Sequence, residues 1–429
     1  MSRGIYECVR CGRREVVDSS EPVLERSCPA CGGDMVLVGF EAGAENAEIP
    51  GAPNEPSVSQ RVPLHAVHPA ALPPAVEAKL SEFYIIEPRG VEGNVFTFEV
   101  RDVLEENFER VLRELEELGY WAALKRRGGK VLLYVFPAGE VKEDNRWLPW
   151  VFLIATIFTT FLAGYWLSLS YISLLDEYGL PGIRNPYVNA LAFSISVMAI
   201  LGTHELGHKI AAAYHGVRAT MPYFIPFPSM LGTMGAVIRV KSPLPTRNAA
   251  IDLGVSGPIA GFLVAIPVSI IGLKLSVPVP ISMVPPTGGI TFGENLFFMF
   301  IEKYVVTFPE NSVVFLHPVA IAGWVGILVT FLNLIPAAQL DGGHIARAFL
   351  GERTHRYLTT AVGLVLIGMS FLWVGWLIWG ILVLMMGAMG NPGALDEVSP
   401  ISKKRIALAL AALVLFILSA TPAPISATG

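Results

Sequence analysis

The chain is short of charge, and beyond residue 31 it has no cysteine. Charged residues make up 16% of its 429 positions, against roughly 25% in an average soluble protein, which argues against a single water-soluble globule. All four cysteines fall within the first 31 residues, so any thiol chemistry belongs to the front of the molecule. The start, Met1-Ser2-Arg3-Gly4-Ile5-Tyr6-Glu7, has no apolar run, and no cleavable signal peptide is expected there. A net charge of −5 gives no electrostatic reason to expect nucleic acid as a partner. What the chain does have is apolar sequence: 53% hydrophobic residues and a mean hydropathy of +0.54. Charge is unevenly placed. Residues 1–147 hold 17 basic and 25 acidic side chains, and the rest hold 14 and 11. The pattern predicts a polar front and a membrane-embedded body.

The cysteines read Cys8-Val9-Arg10-Cys11 and Cys28-Pro29-Ala30-Cys31, each pair followed by a glycine. A two-residue gap lets both sulfurs of a pair face one ion, so Cys8, Cys11, Cys28 and Cys31 predict a four-thiolate zinc ribbon over 1–40. Iron in place of zinc, two disulfides, or free structural thiols are the alternatives. Metal-bound thiolates place the N-terminus in a reducing compartment. Residues 41–75, rich in Glu, Ala, Pro and Asn, read as a linker. Residues 76–146 read as a small α+β domain. It has a strand at Asn94–Arg101, a helix over Val103–Leu118 that Gly119 ends, and a hairpin across Arg127-Gly128-Gly129. No catalytic constellation is visible in it.

Apolar runs at Leu148–Leu174, Tyr187–Tyr214, Ala250–Ser276, Val313–Pro336, Thr354–Leu372, Trp373–Met389 and Arg405–Ala420 predict spans. Phe292–Val306 contains Glu294, Glu302 and Lys303 and reads as interfacial or re-entrant rather than spanning. The loop 215–249 carries Arg218, Arg239, Lys241 and Arg247 and no acid; the segment 337–353 adds Arg347 and Arg353, and 391–405 adds Lys403, Lys404 and Arg405. The positive-inside rule puts these loops and the N-terminus in the cytosol. The fold class expected is a multi-pass α-helical membrane protein of about six or seven spans, with an N-terminal zinc ribbon and a small α+β soluble domain. The membrane core covers 147–390, and a last span and tail 391–429.

The second span contains His204-Glu205-Leu206-Gly207-His208. Histidines four apart share one helical face and can hold one metal ion, while Glu205, one step round, can act as general base. Ionisable side chains inside a span are costly and usually functional. A pair of buried, hydrogen-bonded structural histidines is the rival reading. A catalytic zinc needs a third protein ligand. Asp252, His215, His317, His344, His355 and Asp341 are candidates, and Asp341 is the best of them. It lies in Asn333-Leu334-Ile335-Pro336-Ala337-Ala338-Gln339-Leu340-Asp341-Gly342-Gly343, where Pro336 breaks the fourth span and the glycines let the backbone turn the carboxylate inward. Asp252 reads as a helix cap, His215 as a C-cap, His317 as lying on the opposite side of the membrane, and His344 as a residue outside the ligand set. Gly257 and Gly261 in the third span allow close helix approach.

Together these motifs resemble the site-2 proteases, which are intramembrane zinc metalloproteases. Met234–Ile238, Lys241–Arg247 and Ser256–Gly261 resemble the subgroup of plant chloroplast proteases of the ethylene-dependent gravitropism-deficient and yellow-green type and their prokaryotic relatives. The likeness covers about residues 80–390. It implies zinc ligation by His204, His208 and Asp341, Glu205 as catalytic base, and Asn333 as a substrate-holding or carbonyl-polarising residue. It also implies that the apolar, strand-like segments 221–228 and 234–240 form a sheet that can pair with unwound substrate; a buried hairpin that only packs the site is the rival reading. Two zinc ions are expected, one catalytic and one in the ribbon. The expected partners are the lipid bilayer and a membrane-anchored protein substrate cut within or near its span, with the protease in the cell membrane if the chain is prokaryotic. A metal transporter or metal sensor is the alternative, weakened by the apolar outer halves of the second and fourth spans. A proteolytically idle scaffold is a third reading.

Overall fold

The computed structural model describes residues 3–8, 14–18, 35–41, 72–139, 145–284 and 289–428. The chain divides into two compact units, Met1–Ala66 and Val67–Gly429. In the first, β1 (Arg3–Cys8), β2 (Arg14–Asp18) and β3 (Met35–Glu41) form an antiparallel sheet in the order β2-β1-β3. Cys8 ends β1. Cys11, Cys28 and Cys31, and with them the expected four-thiolate site, lie outside the described residues, as does most of the expected linker.

The second unit opens with α1 (Pro74–Phe83), β4 (Tyr84–Glu92), β5 (Val95–Val103), α2 (Phe108–Glu117), β6 (Tyr120–Arg127) and β7 (Lys130–Pro137). The helix read from Val103 starts at Phe108, because β5 runs on through Val103 and the Asn107 side chain caps the helix by accepting the Arg110 amide. Gly128 and Gly129, with φ of 56° and 79°, make the two-residue turn joining β6 to β7. Val76, Leu80 and Phe83 of α1, and Phe108, Val111 and Leu115 of α2, bury against Phe98, Leu133 and Val135 of the sheet.

Then follow α3 (Leu148–Glu177), α4 (Pro186–Tyr214), β8 (Tyr223–Pro226), β9 (Thr233–Val237), β10 (Leu244–Thr246) and α5 (Arg247–Leu275). Helices α3, α4 and α5 are each long and apolar enough to cross a membrane. After them come β11 (Val277–Pro280), β12 (Gly289–Phe292), α6 (Leu296–Tyr304), β13 (Ser312–Phe315) and α7 (Pro318–Asn333). The chain ends with α8 (Asp341–Gly368), α9 (Gly375–Ala388), β14 (Ala394–Asp396), α10 (Lys403–Ser419) and β15 (Ile425–Thr428). Helix α7 has 16 residues, about 24 Å at 1.5 Å per residue, short of a 30 Å hydrocarbon layer. It need not face lipid, since Pro318 through Ile327 are all buried and it packs against α4 and α5. Helix α8 is interrupted at Gly351, whose φ is 76°.

The sheet of the small domain recruits strands from the membrane body. Its order is β10-β14-β6-β7-β5-β4, with Leu244 paired to Ala394 and Asp396 to Leu124, both in parallel. The start of α5 and the connection from α9 to α10 are thereby tied to one side of the helices. Two small ladders, β11 with β13 and β12 with β15, join helix ends on the other side. Between the two sides, Phe193, Val197 and Ile200 of α4 pack with Phe262 and Ala265 of α5 and with Trp324, Val325 and Ile327 of α7. Several buried polar groups in this layer pair with one another: Thr160 with Ser194 at 2.7 Å, and Asn189 with Ser168 at 3.1 Å and with His317 at 3.1 Å.

Candidate metal centre and active site

Three side chains from two helices converge in the half of the helical layer nearer the six-stranded sheet. His204 and His208 lie one turn apart on the buried face of α4, and Asp341 begins α8. His204 Nε2 and His208 Nε2 are 3.1 Å apart. Asp341 Oδ2 is 3.4 Å from the first and 3.3 Å from the second. A tetrahedral ion with bonds of 2.0–2.1 Å has ligand–ligand edges of about 3.3 Å. The triangle therefore already has zinc dimensions, and two imidazoles with a carboxylate are a donor set that suits zinc. No other group of three His, Cys, Asp or Glu side chains among the described residues is arranged to hold an ion.

Helix α5 forms the wall behind the histidines. The Leu253 carbonyl lies 2.8 Å from His208 Nδ1. A carbonyl can only accept, so Nδ1 carries the proton and Nε2 keeps its lone pair directed at the site. Glycines supply the room. A Cβ on Gly257 would overlap His208 Nε2, one on Gly261 would stand 3.1 Å from His204 Cβ, and one on Gly254 would be 2.6 Å from the Asp341 carbonyl oxygen. The close approach read from Gly257 and Gly261 is thus made chiefly to the imidazoles.

Asp341 is delivered by a tight loop. Helix α7 ends at Asn333, Pro336 follows, and Ala338 takes a left-handed φ of 54°. Gly342 and Gly343 do not have positive φ. Their role differs from the chain-turning one read from sequence. A Cβ at Gly342 would overlap the Leu334 carbonyl and one at Gly343 the Ala337 carbonyl, so these glycines let the first turn of α8 lie directly on the loop.

Glu205 is 7% exposed on α4, and the Ile238 amide, just past β9, approaches its carboxylate. Asn333 Nδ2 lies 3.3 Å from His204 Nε2. The other candidates sit elsewhere. His215 is the C-cap of α4, as read, and also bridges Glu109 of α2 at 2.8 Å and Asp252 of α5 at 2.9 Å. Asp252 does not cap α5; Thr246 does, accepting the Ala249 amide, while Asp252 pairs with His215 and Arg405. His317 caps α7 at the far side, accepting the Val319 amide. His344 and His355 lie further along α8, outside the ligand triangle. The Leu253 carbonyl was not foreseen. A backbone acceptor has no side-chain signature, and only the neighbouring Ser256–Gly261 motif marked the region.

Residues 192–375 match the model of Peptidase family M50. The chain is 27% identical over 371 residues to a protein of Arabidopsis thaliana named probable zinc metalloprotease EGY2, chloroplastic, covering 81% of this chain and 63% of that one. It is 28% identical over 320 residues to probable zinc metalloprotease EGY1, chloroplastic, of the same plant, covering 69% and 58%. It therefore spans about three fifths of the length of these relatives. A solved site-2 protease from Methanocaldococcus jannaschii is 16% identical and superposes loosely, with a TM-score of 0.30, over 56% of this chain and 93% of that one. All the side chains of the ligand triangle and its surroundings fall inside the segment that is similar to Peptidase family M50, the family of the site-2 proteases.

Proposed function

We propose that the protein is an intramembrane zinc endopeptidase that hydrolyses a peptide bond of a membrane-anchored protein within or near its spanning segment. The observation that carries this reading is the triangle of His204, His208 and Asp341, whose edges of 3.1, 3.3 and 3.4 Å are those of a tetrahedral zinc site with one position left for water or substrate. Zinc held by these three residues would supply a Lewis acid to polarise the scissile carbonyl and to lower the pKa of water toward neutrality. Glu205, the neighbour of a ligand on the same helix, takes the proton from the attacking water and returns it to the departing amine. The Ile238 amide holds the Glu205 carboxylate in place between these transfers. Asn333, beside His204, donates to the carbonyl oxygen as charge builds on it. Strands β8 and β9, whose Met234 and Val237 are exposed, offer an edge on which an unwound substrate can pair.

The same reading places the six-stranded sheet, the basic loops and the N-terminus in the cytosol of a cell-membrane protein, gives the chain about six or seven spans, and assigns a second, structural zinc to Cys8, Cys11, Cys28 and Cys31. Its domain limits are the ribbon at 1–40, the α+β domain at 76–146 and the protease core at 147–390. Cutting inside a span in this way would serve regulated intramembrane proteolysis. Similarity to Peptidase family M50 supports hydrolysis rather than metal transport.

The test is cleavage of a panel of single-span proteins by the purified full chain in detergent. Glu205→Gln should keep its zinc and lose cleavage by at least about 10²-fold, the low end for a general base. Full cleavage by that variant would reject the assignment.

A further inference from the structure

The loop that presents Asp341 contains a strained residue, and two side chains from distant segments hold it. Among the described residues only Asn311 and Ala338 are non-glycines with positive φ, and Ala338 is 2% exposed. Left-handed backbone is unfavourable for alanine because Cβ crowds the following carbonyl. Alanine also lacks the side-chain hydrogen bonds that let asparagine adopt it. Such a conformation persists only where the surroundings over-determine it.

Here the surroundings do so. The Ala338 amide donates to Thr359 Oγ1 at 2.9 Å, from the second half of α8, beyond its break at Gly351. The Ala338 carbonyl accepts from Asn391 Nδ2 at 3.1 Å, from the turn between α9 and β14. Asn391 is itself fixed, its Oδ1 accepting the Gly393 amide at 3.1 Å. Next in the chain, Gln339 Nε2 donates to the Gly390 carbonyl at 2.8 Å. Both backbone groups of the strained residue are thus satisfied by side chains, three residues before the carboxylate that completes the ligand triangle.

We propose that Thr359 and Asn391 are positioning residues that lock Ala338 in its left-handed state and so hold Asp341 in ligating register. The proposal rests on the reading of Asp341 as a metal ligand. Without the lock, the loop relaxes to right-handed or extended backbone at 338, the first turn of α8 swings, and Asp341 leaves the histidines. Because Asn391 leads straight into β14, the lock also ties the carboxylate ligand to the sheet of the small domain.

The test uses the full chain in detergent and reads zinc affinity by competition with a chromophoric chelator, together with the visible absorption of the cobalt-loaded protein. Thr359→Val should weaken core zinc binding by about 10-fold, the scale of partners that orient a ligand, and change the cobalt spectrum. Adding Ala338→Gly should restore most of that loss, since glycine takes left-handed φ without help; a purely structural role for Thr359 predicts no such rescue. If Thr359→Val does not fold, Asn391→Ala, in a turn nearer the surface, carries the same expectation and the same rescue. Asp341→Asn separates the two layers of the argument. If it lowers zinc affinity while the Thr359 and Asn391 variants stay within about 2-fold of wild type, the lock is rejected and the metal site stands. If Asp341→Asn leaves affinity unchanged, the metal site itself is rejected. Failure of Ala338→Gly to rescue overturns the strain account.

Discussion

The imidazole of His208 fills the space that a side chain at Gly257 would need. A Cβ there would overlap Nε2, the atom turned toward His204 and Asp341. Gly257→Ala should therefore lose one equivalent of zinc relative to wild type, by elemental analysis, with helical content retained. Gly272→Ala is the control. Its Cβ would strike the Ala320 backbone, disturbing α5 against α7 away from the histidines. It should lower the melting temperature and keep its zinc. Equal metal loss in both would reduce Gly257 to a packing residue.

His215 joins the small domain to the helix carrying the histidine pair. Burial lowers the pKa of its imidazolium, but the hydrogen bonds to Asp252 and then Glu109, with their charges, outweigh burial and raise it to about 9. A folded-state pKa above the unfolded value of about 6.5 means stabilisation that is fully present below pH 6.5 and is lost as pH rises through 9. The melting temperature should fall across that window. In Glu109→Gln the fall should be shallower and end at a lower pH. A pH-independent melting temperature between 6.5 and 9 would show that the bridge carries no stability.

Arg347 is 4% exposed, and its guanidinium reaches Glu397 at 2.6 Å, just past β14. Glu397→Gln leaves this buried cation only the more distant Glu352, at 3.9 Å, and should destabilise the protein by about 3 kcal/mol, the lower end for breaking a buried pair. Denaturant unfolding in mixed micelles measures it. A change below about 1 kcal/mol would place the pair among surface ion pairs.

Asn333 lies against His204 without being one of the three ligand groups. Asn333→Ala should lower kcat by roughly 10²-fold, as loss of a donor to a developing oxyanion does, with zinc content unchanged. Lost zinc with unchanged kcat per bound ion would make Asn333 a support for the metal instead.

Much of the centre was legible because it is local. Two imidazoles at positions i and i+4 face the same way whatever surrounds the helix, so His204, Glu205 and His208 needed no tertiary knowledge. The long apolar helices α3, α4 and α5 were legible for the same kind of reason, since hydrophobic length is a property of the segment alone. Asp341 stood out by its proline and glycines, although their role is close packing rather than turning. The rest depended on distant partners. Leu244–Thr246 and Ala394–Asp396 are three-residue strands with no alternation to read, and they become strands only because β6 leaves an edge open. Thr359 and Asn391 look like ordinary polar residues until the Ala338 backbone is seen between them. The start of α2 was misread because apolar spacing is as compatible with the end of a strand as with a helix at Val103.

Residues 394–396 sit between β10 and β6 in the sheet, and that arrangement bears on biosynthesis. A ribosome delivers β4 to β7 long before β14, the strand that joins β10 to them. Until Asp396 emerges, β6 keeps a bare edge and β10 has no neighbour. The Asp341 loop likewise waits for Asn391 to clasp it. In a chain made in this order, the ligand triangle is secured only after residues 391–396 have joined the loop and the sheet.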